Sequence, residues 1–436
     1  MEKRRLDGHA PLTEAISIRK IIIRLLMLGA VLCVIAVLAL VLPAGRLIHT
    51  GSRISFQPSG DPSIPVWLIA GAFSDSGDNA LFKDYLWWVG GEANVAAMDE
   101  AVAGFHRAKI VRWRRAQPDE SGTINFAKVW PLRHNSVAYA YTEIQSDTDR
   151  YAVATVVSGV SLQIWLNGKI ICENRLLRGI VDDKDALVLH LRKGSNRVLV
   201  KAEEMVDQAW RLEWKTHFPS GALFVNETKT IIPDFLVSLK QGAWGQVEVA
   251  NASDIDLPDV TVHVQAGDWV AESRSDPVSI EAGTVQRIPV WIAGTGPVPN
   301  PAADNVVATP IHLTVTGGGQ QCAIEFTPRA RKLSEYFVTT YRSKVDGSVQ
   351  PYSVMLPTEF DPAKTYSLMV LLHGSTINGW GQNIYSYFPK PWAIQVAPYD
   401  RGDNFYREVG QVDTDEMIAE AQRTYKVDPD RIYLSG

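Results

Sequence analysis

Three kinds of apolar pattern follow one another along the chain. From Leu25 to Leu42 the run is uncharged and almost wholly apolar. With Ile21, Ile22 and Ile23 it reaches the roughly 20 residues that a helix needs to span a hydrocarbon core. From Thr50 to Phe218 short alternating runs take over, at Val137–Tyr141, Ala152–Val157, Ser161–Leu166 and Leu187–Leu191. Asn167-Gly168, between Ser161–Leu166 and Lys169–Cys172, predicts a tight hairpin, because both turn positions take positive φ. Lys193-Gly194-Ser195-Asn196 predicts a second turn ahead of a strand at Arg197–Lys201. Closely spaced strands of this kind predict an all-β sandwich over residues 50–218. Further alternating runs at Gln246–Ala250, Val260–Val264, Arg287–Ile292 and Ile311–Val315, with Gly317-Gly318-Gly319 before Cys322–Phe326, predict a smaller immunoglobulin-like sandwich over 226–331. Gly294 to Asp304 reads as a long surface loop.

The third pattern begins at Ser334. Asp346-Gly347 predicts a hairpin turn between Phe337–Tyr341 and Tyr352–Leu356. Tyr366–Leu372 is a continuous apolar run, which suits a strand covered on both faces. Trp392–Pro398 and Arg431–Leu434 read as further strands. Asp413–Tyr425 reads as an amphipathic helix, with Asp413 as its cap and Glu416 completing a capping box. Strand, helix and strand in that order predict a mostly parallel sheet with helices over 334–436.

Charge changes the picture at the N-terminus. Lys3, Arg4, Arg5, Arg19, Lys20 and Arg24 all precede the apolar run. That excess keeps residues 1–20 in the cytoplasm, makes 21–43 a signal anchor crossing the membrane once, and sends the bulk to the extracytoplasmic side. Secretion after signal cleavage is the competing reading. The net charge of -5 over 436 residues argues against nucleic acid, which calls for a basic face. The 3 Cys, at 33, 172 and 322, form neither a disulfide framework nor a metal-ligand spacing. Asp147/Asp149 and Asp182-Asp183 are the acidic pairs that a structural Ca²⁺ would use, although acidic turn residues are the commoner reading. Among the 13 Trp, Trp87, Trp88, Trp113 and Trp130 are candidate platforms for sugar faces, with core packing as the competing reading. Arg112, Arg114 and Arg115 flank Trp113, either to recognise an anion or as a solvated strand face.

Two segments resemble known families. Trp165-Leu166-Asn167-Gly168-Lys169 and Lys193–Lys201, with Gly71-Ala72-Phe73, Asp84-Tyr85-Leu86 and Gly90-Gly91-Glu92, resemble the galactose-binding-like modules of exported bacterial enzymes. Leu371-Leu372-His373-Gly374 and Tyr425–Gly436 resemble the α/β-hydrolase superfamily, within it the exported esterases and prolyl oligopeptidase-like serine peptidases. The second resemblance implies that Gly436 starts the nucleophile elbow G-x-S-x-G. The nucleophilic Ser is then expected just beyond Gly436, and no catalytic residue lies within the chain. An amide at Gly374 or Ser375 would serve the oxyanion hole, and the loop around Tyr406 and Arg407 would contact substrate. His373 is expected to be structural, because the triad order Ser…Asp…His places the base later. The implied activity is hydrolysis of a carboxylic ester or peptide bond through an acyl-enzyme, by a membrane-anchored serine hydrolase. Its substrate would bear an ester or peptide, free or linked to polysaccharide, and it would need no metal or organic cofactor. The alternative is a surface-anchored carbohydrate-binding or scaffold protein with a non-catalytic hydrolase remnant.

Overall fold

Period-two alternation splits the side chains of the first sheet between two cores, one on each of its faces. In the computed structural model, residues 52–58, 62–74, 79–107, 109–130, 135–158, 161–174, 184–204, 210–237, 239–296, 298, 309–374, 388–401 and 406–436 are described. The N-terminal strands are β1 (Trp67–Ser74), β2 (Val102–His106), β3 (Lys109–Arg112), β4 (Arg114–Ala116), β5 (Thr123–Asn125), β6 (Ser136–Ser146), β7 (Arg150–Val157), β8 (Ser161–Leu166), β9 (Lys169–Asn174), β10 (Asp185–Leu191), β11 (Gly194–Glu204) and β12 (Arg211–His217). They form a sheet in the order β4-β1-β6-β11-β8-β9, a second in the order β10-β7-β12-β5, and the ribbon β2-β3. On the inner face, Trp67, Ile69, Ala138, Ala140, Val198 and Val200 pack with Trp210 and Trp214 from across the sandwich. On the outer face, Leu68, Ala70, Val137, Tyr139, Tyr141 and Leu199 pack under a covering segment that includes Leu81, Tyr85, Leu86 and Val95. A strand buried on both faces carries apolar residues at odd and even positions alike, which is why β6 reads as nearly continuous hydrophobicity.

The Asn167-Gly168 turn lies between β8 and β9, with φ of 52° and 85°. A Cβ on Gly168 would collide with the carbonyl oxygen of Ala93, so the glycine meets both a backbone and a packing requirement. The second expected turn is absorbed into a strand, since β11 already starts at Gly194.

The middle strands are β13 (Leu223–Ile231), β14 (Phe235–Leu236), β15 (Gly242–Asn251), β16 (Leu257–Val264), β17 (Ser273–Arg274), β18 (Val278–Ile280), β19 (Val285–Ala293), β20 (Ile311–Gly317), β21 (Gln320–Phe326) and β22 (Ala330–Arg331). The sheets β13-β15-β19 and β17-β16-β20-β21 enclose a core of Val247, Val249, Val260, Val262, Ile288 and Leu313.

The C-terminal elements are β23 (Phe337–Arg342), β24 (Val349–Met355), β25 (Tyr366–Leu371), β26 (Ala393–Pro398), the helix α1 (Val409–Thr424) and β27 (Val427–Ser435). The strand order is β23-β24-β26-β25-β27. Here the expected fold class is corrected. β23 pairs with β24, and β24 with β26, in antiparallel fashion; only β25 pairs in parallel, with β26 and β27. The sheet is mixed, and α1 is the one α-helix among the described residues, so this is not a mostly parallel sheet layered with helices. The described residues are β-dominated. The expected membrane helix at 21–43 lies outside the described residues. Among the described residues no helix is long and apolar enough to cross a membrane. The expected single-pass membrane location is therefore left without support among the described residues.

The expected capping box is also absent. α1 starts at Val409, four residues before Asp413, with Glu408 at its N-cap and no capping side chain. Asp413 is buried inside the helix, where both carboxylate oxygens accept from Arg401 Nε at 3.0 and 2.9 Å. Glu416 instead accepts from Ser343 Oγ and the Lys344 amide. Burial alone would hold α1 by Met417 and Ala421, which pack into the sheet.

Arg401 also donates to Asp346, Nη1 to Oδ2 at 2.6 Å. Burial pushes the Asp346 carboxyl up, but hydrogen bonds from Arg401 and Ser348 outweigh it and bring it down from 3.8 to about 2. A depressed carboxylate stabilises the fold above its unfolded value and loses that contribution as pH falls through about 2. Asp346 is half-exposed, so solvent screening reduces the contribution to about 1 kcal/mol. Denaturation followed from pH 5 to pH 2 should show Asp346→Asn losing about that much less stability than the parent; parallel profiles would contradict it.

Candidate functional site

Strand alternation sends Tyr139, Lys201 and Glu203 to the outer face of the first sheet, beneath residues 79–103. The sheet fastens this segment by polar side chains. The Leu81 amide donates to Glu203 Oε1 at 3.2 Å, and the Tyr85 amide to Tyr139 Oη at 3.3 Å. Lys201 Nζ donates to the Lys83 carbonyl and to Glu92 Oε1, both at 2.8 Å. Tyr139 Oη donates to the same Glu92 oxygen at 2.5 Å. Asp84 closes the segment on itself by accepting from the amides of Leu86 and Glu92. The Lys201 side chain is 0% exposed. Burial raises the Glu92 carboxyl against the pull of Lys201, and burial lowers the Lys201 ammonium against the pull of Glu92. Both shifts have the sign expected when desolvation costs more than the partner returns. This network fastens the segment to the sheet through hydrogen bonds between buried groups.

The outer side of the fastened segment carries two adjacent indoles. Trp87 and Trp88 lie in a 3₁₀ turn, Trp87–Val89, closed by Gly90 at φ 107°. They are 65% and 57% exposed, with ring centroids 5.0 Å apart at 85°. Trp88 meets the exposed Phe105 of β2 edge-on, at 5.2 Å and 82°. Phe105 stands opposite Ile110 of β3 in the ribbon register, and Ile110 is exposed as well. Neither indole nitrogen has a hydrogen-bond partner among the described residues. The patch therefore offers flat apolar faces and two N–H donors on an immobilised backbone. Amphipathic aromatics of this kind serve ligands that are apolar on one face and hydroxylated at the edge.

The other two candidate tryptophans are structural. Trp113 is 1% exposed and packs on Tyr141. Trp130 packs against Phe126 and Trp210, with the Arg114 guanidinium 4.7 Å from its ring centroid. The neighbouring arginines are engaged too: Arg112 with the Glu100 carbonyl, Arg115 with Asp99 and Ser52. Asp149 accepts from the Lys193 amide, and Asp182-Asp183 lie outside the described residues. Among the described residues no group of three or more His, Cys, Asp or Glu is arranged to hold a metal ion.

The residues singled out near the C-terminus gather at one end of the last sheet. The Leu372 amide donates to the Ser435 carbonyl at 2.7 Å, which brings the ends of β25 and β27 side by side. Gly374 and Gly436 are exposed there, and Ser375 lies outside the described residues. Tyr406 is turned inward: its hydroxyl accepts from the His373 amide at 2.6 Å, its amide donates to Asp400, and its ring packs on the buried His373. Arg407 is exposed.

No family model matches this chain, and no curated protein matches it. Similar solved structures include an exo-chitosanase of Amycolatopsis orientalis, at 14% identity and TM-score 0.37, over 68% of this chain and 36% of that one. A GH2 β-galacturonidase from Eisenbergiella tayi is similar at 12% identity and TM-score 0.35, over 67% and 46%. A thermostable esterase is similar at 15% identity and TM-score 0.20, over 46% and 69%. The chain thus spans between a third and a half of the two glycosidases' length. The expected membership of the α/β-hydrolase superfamily, and with it the expected serine ester or peptide hydrolysis, is corrected. Among the described residues the sheet that was to carry the hydrolase signature is mixed, with β23, β24 and β26 paired in antiparallel fashion. At TM-scores below 0.5 these likenesses lend no activity to this chain.

Proposed function

We propose that this protein binds carbohydrate, and that the ligand lies across Trp87, Trp88 and Phe105. The observation that carries this reading is the pair of adjacent, solvent-facing indoles on a backbone fastened from below by Lys201, Tyr139 and Glu203. Exposed tryptophans lose little conformational freedom on binding when their backbone is already fixed, so their contact area converts efficiently into affinity. The mutually perpendicular rings suit a chain of sugars whose successive faces are turned relative to one another. The indole N–H groups are placed to donate to hydroxyls. A glycoside or polysaccharide is the ligand class; nucleic acid is disfavoured by the net charge of -5.

The test is affinity electrophoresis against chitosan, xylan and mixed-linkage glucan, followed by calorimetry on the best of them. Trp87→Ala combined with Trp88→Ala should weaken binding by about 30-fold or more, as expected for a central aromatic anchor worth about 2 kcal/mol. Both side chains are exposed, so folding should be preserved. A parent protein that no polysaccharide retards, or a double variant that binds as the parent does, would sink the proposal.

A further inference from the structure

A second aromatic site lies where the middle sandwich meets the C-terminal sheet, and it shares no residue with the Trp87–Trp88 patch. It is a cleft of about 450 Å³, within the range of small-molecule sites. One wall is Trp291 of β19, which is 37% exposed. Its ring packs closely against Gly242, where an added Cβ would meet Cζ2 at 2.6 Å. Trp244 holds it from the side, with ring centroids 5.3 Å apart at 73°. Phe360 and Tyr425 also line the cleft, with ring centroids 6.2 Å apart, and Phe360 is held by Tyr366 at 5.6 Å. The aromatic surfaces are thus fixed by packing behind them, as a preformed slot requires.

The charge at the cleft is unbalanced. Arg423 is matched by Glu420 in a two-bond pair. Lys240 is exposed and lines the same cleft, and among the described residues it has no carboxylate partner. One ammonium therefore stands beside an aromatic slot. We infer that this cleft binds a flat ring bearing a carboxylate, with the ring against Trp291 and the carboxylate on the Lys240 ammonium. A charge-assisted contact at the edge of a mostly apolar pocket fixes the orientation of a ligand whose ring supplies the buried area.

Calorimetry of the full chain with 2-naphthoate and with the neutral 2-naphthalenemethanol tests this directly. The parent should bind naphthoate saturably and about tenfold more tightly than the neutral ring, one charge-assisted hydrogen bond being worth about that factor. Lys240→Ala, a surface change, should remove that preference and leave the neutral ring unchanged. Trp291→Ala should abolish binding of both, with Trp291→Phe restoring part of it. The inference is overturned if naphthoate shows no saturable binding, if Lys240→Ala keeps the tenfold preference, or if Trp291→Ala binds as the parent does. Sugar binding at Trp87 and Trp88 should be untouched by Lys240→Ala, so the two sites succeed or fail separately.

Discussion

Lys201→Met should destabilise the first sandwich by roughly 3 kcal/mol and weaken polysaccharide binding although it lies beneath the binding surface. Lys201 is buried, and Glu92, Tyr139 and the Lys83 carbonyl are arranged around its ammonium. Removing one partner of a buried charge pair leaves the other uncompensated, which costs about 3–5 kcal/mol in measured cases. The lower end is expected here, because Glu92 keeps its hydrogen bond from Tyr139 and burial already favours its neutral form. For a unit of this size that is about 10 °C in the melting temperature of the sandwich. Adding Glu92→Gln should recover most of the loss, since replacing both partners by neutral groups removes the stranded charge. Calorimetric melting of the two variants, with polysaccharide titration beside it, separates a fastening role from generic core damage. If the single variant melted within about 2 °C of the parent, the fastening argument would be wrong.

Arg401→Ala should cost the C-terminal sheet about 3–5 kcal/mol. Its guanidinium binds both oxygens of Asp413 within the helix, reaches Asp346 in the β23–β24 turn, and donates to Ser343. The helix and the β23–β24 turn, which lies more than 50 positions earlier in the chain, therefore share one cation. Without it Asp413 stays buried, where desolvation already raises its carboxyl, and it folds only by taking a proton. Arg401→Lys should recover under half of the loss, because a point charge cannot reproduce the planar fork. Arg401→Ala with Asp413→Asn should be more stable than Arg401→Ala alone. Denaturant midpoints for the three variants check the order; equal midpoints for Arg401→Ala and the parent would refute the shared-cation account.

The same residues show how far the sequence could be read. Strands of the two sandwiches were legible because alternation and Asn-Gly turns are local, and β8, Asn167-Gly168 and β9 lie where that pattern puts them. Asp413 and Glu416 have the spacing of a capping box, but their partners Arg401 and Ser343 come from other elements. The buried pairings outcompeted the cap, and the helix extends past it. Strand direction in the last sheet was misread for a related reason. The continuous run at Tyr366–Leu371 does pair in parallel on both sides, but β24 pairs with the remote β26 in antiparallel fashion, and burial does not encode which way a neighbour runs.

Trp87, Trp88, Trp113 and Trp130 were equivalent as letters, and residue type established only that each would be either a platform or a core filler. Which two face water depends on where residues 79–103 cross the sheet, and that depends on Lys201 and Glu203, more than 100 positions later in the chain. Local pattern determined the strands, the hairpins and the β-rich character of this protein, since those rest on period-two side-chain geometry. Only the tertiary structure decided the binding face, because exposure belongs to a packed surface assembled from remote segments.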